Sequence, residues 1–311
     1  MSEAGRRRRQ RLGASLVLLV GGLAHAAPAA IEGGALILVG AGDIADCSSN
    51  DDEKTAVLVE RELARSDKAR AFTLGDNVYP DGALAEFYRC YEPNWGRFKS
   101  RTLPVVGNHE YRTKNAAGFR GTFAGRFTAD GPLWYSVDVD GLGSDGKPAR
   151  WHVVVLDSNC DKVGCGTGSP QHSWLKADLK KHADTKCTVA LFHHPRFSSG
   201  PHGDATTMTA LWTALDQGGV DLVLSGHDHD YERFPALDSE GTVVAGHGIP
   251  SIIVGTGGKS QYPIISTRNH SIVHNNDDFG VLKLLLSNEG WKSCFLPVNG
   301  PERDVDVGSC R

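Results

Sequence analysis

Five times in this chain an apolar run of strand length gives way to a short island of metal-ligand residues. The runs are 35–39, 71–74, 103–106, 189–191 and 220–224. The islands read Gly42-Asp43, Gly75-Asp76-Asn77-Val78-Tyr79, Gly107-Asn108-His109-Glu110, Phe192-His193-His194-Pro195 and Gly226-His227-Asp228-His229. A lone Asp or His where a strand ends is most often a satisfied loop or core residue. Five such islands, spread over almost two hundred residues of one chain, imply a single assembled site.

At 311 residues and 40% hydrophobic content, the chain can bury a large core in one or two domains. Its start reads differently. A basic stretch, Arg6 to Arg9 and Arg11, precedes the apolar segment 12–24, and Ala24-His25-Ala26 supplies a small-residue cleavage pattern. This is the layout of a cleavable secretory signal over residues 1–26, with a faint twin-arginine flavour. A membrane anchor needs about 20 apolar residues, and Gly21-Gly22 and His25 cut this segment short. The expectation is a secreted or periplasmic protein with no membrane contact after processing, and one catalytic domain over 27–311. Removing 1–26 takes five Arg and one Glu from 33 basic and 37 acidic residues, leaving 28 and 36, a net charge near −8. No basic run remains to bind nucleic acid.

Seven cysteines in an exported chain suggest disulfides with one thiol left over. Spacing alone does not fix their connectivity. Cys160 and Cys165 can close a short loop around Gly164, Cys294 and Cys310 can pin the C-terminal tail to its last strand, and Cys47 and Cys90 can tie two island loops together. Cys187 opens a strand and reads as a buried free thiol. No C-x-x-C pair points to zinc.

Strands and helical patterns alternate through the first two thirds. Ser49 or Asn50 caps a helix from Asp51 to about Ser66, with acidic residues in its first turn. Ser169-Pro170 opens a second, to about His182, and Thr206 or Thr207 a third that closes at Gly218-Gly219. Hairpin strands are expected over 134–139, 151–156, 242–244, 251–254, 280–286 and 291–296. Alternating units mixed with hairpins predict an α/β sandwich with mixed sheets.

The islands offer two Asp, one Tyr, one Asn and three His, a donor set suited to a transition-metal ion beside a harder cation. In this order they resemble the purple acid phosphatases within the calcineurin-like metallophosphoesterases, whose islands run GDxG, GDxxY, GNH(D/E), VxxH and GHxH. The resemblance covers about residues 36–298. It departs at Ala45, where the family has Gly, and at Ala190, where it has Val; neither change removes a ligand. The resemblance implies a four-layer αββα sandwich of two mixed sheets flanked by helices. It implies that Asp43, Asp76, Tyr79 and His229 bind one metal, Fe(III) in the family. Asp76 then bridges to a second divalent ion (Fe, Zn or Mn) that also takes Asn108, His193 and His227. His193 is chosen over His194 because family ligands precede the proline by two.

The implied reaction is hydrolysis of small phosphomonoesters by in-line attack of metal-bound hydroxide. His109 is similar to the family's phosphate contact, and His202 to its substrate-side histidine, the expected proton donor to the leaving group. A phosphodiesterase or nucleotidase on the same fold is the near rival; an exported metal-binding protein without turnover is the distant one. The short distance from Ala26 to the first strand suits the compact members of the family. Gly255-Thr256-Gly257-Gly258-Lys259-Ser260 imitates a phosphate loop but has Ile253 where that loop needs its first glycine; a glycine turn at the site's rim is the better reading. Arg196 and Lys259 read as solvated surface residues, and His152 and the other histidines outside the motifs as structural.

Overall fold

The computed structural model describes Met1 and residues 34–311, so the expected signal segment lies, beyond Met1, outside the described residues. Apolar runs become strands of two mixed sheets. The six-stranded sheet runs, edge to edge, Arg303–Ser309, Gly290–Pro297, Gly280–Leu286, Ile37–Ala41, Arg70–Thr73 and Thr102–Leu103. The seven-stranded sheet runs Val273–Asn275, Tyr231–Leu237, Ile249–Val254, Leu222–Ser225, Cys187–Leu191, Pro148–Val155 and Tyr135–Leu142.

Side chains alternate between faces along a strand, and the seven-stranded sheet uses both faces. Val153, Val155, Val189, Leu191, Leu222, Leu224, Ile252 and Val254 share a buried cluster with Leu36, Leu38, Phe72 and Val281 of the other sheet. Their neighbours Val154, Ala190, Phe192, Val223 and Ile253 face the opposite way, against Leu175, Leu179, Leu211, Trp212 and Leu215. Those last five belong to the helices Pro170–Lys181 and Thr209–Gln217. The helix Asp51–Leu63 packs on the six-stranded sheet. The result is helix, sheet, sheet, helix.

Local chemistry sets the helix ends. Ser169 accepts the His172 N–H at 3.2 Å, with Pro170 in the first turn. The first helix stops at Leu63, three residues early, because the Arg101 guanidinium takes the Leu63 carbonyl at 3.1 Å and the Ser66 carbonyl at 2.5 Å. No strand forms at 242–244: the segment carries β propensity, but Val243 and Val244 are exposed and bury no apolar face.

Topology gathers the islands. Ile37–Ala41, Arg70–Thr73 and Thr102–Leu103 are mutually parallel, as are Cys187–Leu191 and Leu222–Ser225. Parallel strands put their C-terminal ends on one edge, so the loops that follow meet there. A short parallel pairing of Ala45–Asp46 with Val78–Tyr79 knits the first two island loops together.

The disulfides correct one expectation. Cys47–Cys90 and Cys160–Cys165 form, but Cys310 bonds Cys187, with 5.3 Å between Cα atoms, and Cys294 is the buried free thiol. Register is the reason. Ser309 pairs with Gly290, and the Cys310 N–H donates to the Glu289 carbonyl. Cys294 is thus five residues up the strand, roughly 16 Å away at about 3.3 Å per residue, far beyond disulfide reach.

Candidate metal centre

All seven predicted ligands converge. The Tyr79 hydroxyl donates to Asp43 Oδ1 at 2.9 Å and lies 3.2 Å from both Asp76 Oδ2 and His229 Nε2. On the other side, His193 Nε2 is 2.9 Å from Asn108 Oδ1, 3.2 Å from His227 Nδ1 and 3.4 Å from Asp76 Oδ2. Asp76 belongs to both groups and is the side chain between them. Asp43, Asp76 and His193 are fully buried and hold donor atoms within 4.8 Å of one another.

Backbone geometry is specialised to bring these atoms together. Asp43, Asp76 and His227 have φ of 58°, 46° and 72°, left-handed values that non-glycine residues rarely adopt and that cluster at functional sites. The leading glycines are packing requirements. A Cβ on Gly75 would sit 2.5 Å from His193 Nδ1, and one on Gly107 would sit 2.1 Å from the Asp76 nitrogen.

The donor set fits metal cations. Asp43 and Asp76 are buried, and among the described residues their ion-pair partners are histidines, not Lys or Arg. Two imidazoles are oriented by their second nitrogens, as metal-ligating histidines usually are: His193 Nδ1 meets the Leu74 carbonyl and His229 Nδ1 the Ser260 carbonyl, each at 2.7 Å. Burial pushes the Asp76 carboxyl up, yet the charge and hydrogen bond of His193 more than offset this and hold it well below the usual range. Burial lowers His193, while Asp76 carries it up to about 9. His227 is driven far down by burial and then by the His193 charge, so its ring is neutral and free to donate a lone pair.

His194 is near but differently placed. Its Nδ1 is 2.8 Å from the Ser158 hydroxyl and its ring centroid 4.3 Å from that of His227. It meets His193 and His227 as a third imidazole, while Asn108 and Asp76 meet His193. Burial and the His193 charge push it down to about 3.

Both predicted non-ligand histidines stand at the rim. His109 Nδ1 bonds the Pro80 carbonyl, leaving Nε2 3.7 Å from Asp76 Oδ2 and 3.3 Å from Arg112 Nη2. His202 Nδ1 bonds Asp228 Oδ1 at 2.8 Å, and its ring centroid is 4.2 Å from that of His227. The Asp228 hydrogen bond raises His202 above its ordinary value.

Sequence reasoning missed several supporting residues. Asp228, the variable letter of the last island, also accepts the His202 N–H at 3.1 Å and the Ser198 hydroxyl. Glu232, fully buried, holds the same loop through the Ser199 N–H at 2.7 Å. Glu110 accepts the N–H groups of Asn77 at 2.8 Å and Gly107 at 2.7 Å, tying two islands together; burial, then the Asp76 charge, raises it to about 8. Tyr262 stacks on His229, with centroids 3.9 Å apart. Asp228 and Glu232 had no signal beyond lying in or near an island, Glu110 only the acidic letter of its motif, and Tyr262 none. Two surface readings are corrected. Arg196 is buried, its Nη2 donating to the Ser239 carbonyl at 2.6 Å, and Lys259 pairs with Asp46 at 2.5 Å. The glycine turn does sit at the rim: Gly257 donates to the Gly42 carbonyl at 2.9 Å.

Known proteins match both the sequence and the shape. Purple acid phosphatase 23 of Arabidopsis thaliana is 30% identical over 173 residues, covering 50% of this chain and 35% of the relative. Purple acid phosphatase 1 of Ipomoea batatas is 28% identical over 197 residues, covering 54% and 39%. The chain thus spans little more than a third of these relatives' length. A purple acid phosphatase from Lupinus luteus seeds shares the fold with TM-score 0.68 at 17% identity, covering 89% of this chain and 54% of that one. A Plasmodium protein described as the anchor in the inner membrane complex also shares it, at TM-score 0.68 and 18% identity, covering 89% and 90%. The family described as calcineurin-like phosphoesterase matches residues 23–231, and this chain belongs to that family.

Proposed function

We propose that this chain is an exported metal-dependent phosphatase that hydrolyses small phosphomonoesters, with residues 27–311 as its catalytic domain. The observation that carries the reading is the meeting of two donor groups that share Asp76, with a histidine–carboxylate pair at their rim. Asp43, Asp76, Tyr79 and His229 would hold one ion, Fe(III), and Asp76, Asn108, His193 and His227 would hold a divalent one. Bound metal ions supply positive charge for the phosphoryl oxygens and lower the pKa of a coordinated water.

The remaining work falls to protein groups. His109, with Nδ1 committed to the Pro80 carbonyl, directs Nε2 at the phosphoryl group. His202, with Nδ1 committed to Asp228, carries a proton on Nε2 and delivers it to the departing alcohol oxygen. Asp228 fixes the tautomer and orientation and raises the pKa, so His202 stays protonated in mildly acidic solution. A fold does not by itself fix function. The His202–Asp228 pair favours turnover, because holding metal needs neither residue. Export rests on the 1–26 pattern; no helix among the described residues is long and apolar enough to cross a membrane.

The test is turnover of an aryl phosphate monoester against the matching diester by the metal-loaded mature chain. Preference for the monoester by at least roughly tenfold supports the reading. Equal or greater diester turnover replaces it with a phosphodiesterase, and no turnover of either removes the enzymatic reading.

A further inference from the structure

A second charged concavity lies apart from the metal-ligand cluster. A cavity of about 280 Å³ opens where the edge strand Thr102–Leu103 of one sheet meets the edge strand Tyr135–Leu142 of the other. Lys68, Arg70, Arg101 and Arg126 line it. Arg70 begins the strand Arg70–Thr73, and Asp76 follows its far end. Six residues at about 3.3 Å each put the two sites roughly 20 Å apart. We propose that this arginine-lined cavity binds a phosphate-type oxyanion at a site separate from the metal centre.

Its four cations outnumber the two carboxylates of its wall, Asp138 and Asp140. Arg101 spends its guanidinium on backbone carbonyls, those of Leu63, Ser66 and Ala69. Arg70 gives only Nη1, to the Asp67 and Ala69 carbonyls at 3.0 Å, and Arg126 gives Nη2 to the Thr102 carbonyl at 3.3 Å while its guanidinium lies 5.3 Å over the Tyr135 ring. Among the described residues, none of these three arginines has a carboxylate within ion-pair distance. Lys68 reaches only the exposed Asp67, at 3.8 Å. The acids in the wall are committed elsewhere, Asp140 to Arg150 at 2.6 Å and Asp138 to His152 at 2.8 Å. Burial, and then the charge of Arg70, push Arg101 below its ordinary value.

Unused donors therefore remain on one concave surface: Nε and Nη2 of Arg70, Nε and Nη1 of Arg126, and the Lys68 ammonium. Forked guanidinium donors match the oxygens of a tetrahedral anion. A neighbouring hollow of about 520 Å³ shares Ser100 and Arg126 and adds Phe123 and Ala124. Free phosphate and the phosphoryl group of a larger molecule satisfy the same donors; the hollow offers room for an organic remainder.

The experiment is calorimetric titration of the metal-loaded mature chain with inorganic phosphate at low ionic strength, for the wild type and for Arg70→Gln/Arg126→Gln. Expected is one phosphate equivalent in the wild type that weakens by roughly tenfold or more in the double variant, with binding at the metal centre unchanged. Lys68→Gln/Arg126→Gln, which alters only exposed side chains, gives the same result if the Arg70 change disturbs the strand. A second titration uses phenylphosphonate, which hydrolysis cannot cleave. Tighter binding of phenylphosphonate at the arginine-dependent site assigns it to phosphorylated organic molecules, and tighter binding of inorganic phosphate assigns it to the free ion. Identical stoichiometry and affinity in the wild type and both variants would overturn the proposal. Because binding is the readout, the outcome does not depend on whether the chain is a phosphatase.

Discussion

The buried Asp228 carboxylate holds the His202 ring in place, and in the proposed reaction that imidazole carries the proton. His202→Ala is expected to lower kcat on an alkyl phosphate by about 10²-fold or more, and by much less on an aryl phosphate whose leaving group needs no proton. Equal losses on both substrates would remove the proton-donor role. Asp228→Asn tests positioning through the pH profile. Asp228 raises the His202 pKa, so its loss moves the alkaline limb of the rate profile to lower pH, where a merely structural effect would lower the rate at every pH. Tyr79→Phe is expected to abolish the visible absorption of an iron-loaded protein while the fold, read by circular dichroism, is kept. The ligand types were legible because each sits in an island that follows an apolar run of strand length, four of the five islands opening on glycine. Asp228 was not, because a buried carboxylate that orients a neighbour looks in sequence like any other acidic loop residue; for Glu110 the motif marked an acidic position but not what it holds.

At the scale of elements, the Cys187–Cys310 bond joins the start of a strand in one sheet to the tail that follows the edge strand of the other. It closes a loop with a sequence separation of 123. Removing it by Cys187→Ser/Cys310→Ser should cost about 2–5 kcal/mol in denaturant unfolding, whereas Cys294→Ala should cost less. Peptide mapping that joined Cys310 to Cys294 would contradict this connectivity. His152 is another tie: its two ring nitrogens meet Asp138 and Asp178, each at 2.8 Å, so it bolts a strand hairpin to the helix Pro170–Lys181. Burial lowers His152, but the hydrogen bonds from Asp178 and Asp138 leave it raised. Burial raises Asp178, yet the His152 hydrogen bond leaves it lowered. The His152 contribution is complete below its unfolded pKa of about 6.5 and is lost as pH rises through the raised folded value. The Asp178 contribution is present above about 3.9 and is lost as pH falls through the lowered value. Stability from this group should therefore peak between about pH 4 and 6.5. His152→Gln should flatten the alkaline decline, as followed by thermal unfolding across pH. The helix Pro170–Lys181 was readable from its Ser169 cap, whereas Asp51–Leu63 starts at Asn50 and Thr209–Gln217 at Met208 without a side-chain cap; strands were readable from apolar runs, but the edge strand Arg303–Ser309 was not. Its residues alternate between exposed and half-buried, and only pairing with Gly290–Pro297 makes it a strand.

Over the whole molecule, the proposed metal centre would also act as a clamp, since its candidate ligands come from loops of both sheets. An ion that binds only the folded chain stabilises it by about 4 kcal/mol at a thousandfold excess over its Kd. A chelator should therefore abolish activity and lower Tm together, and adding metal back should restore both. The sequence by itself determined the ligand types, their order and their attachment to strand ends, because motif chemistry and strand patterning are local properties of the chain. It also determined the α/β class, through the alternation of strand and helix signals. Only the tertiary structure decided that Asp76 stands between the two donor groups, that Cys310 meets Cys187, that Asp228 rather than solvent holds His202, and that three uncompensated arginines share a cavity. Each of these depends on strand register and on which distant loops share an edge, and those are fixed by packing between segments that carry no record of one another in sequence.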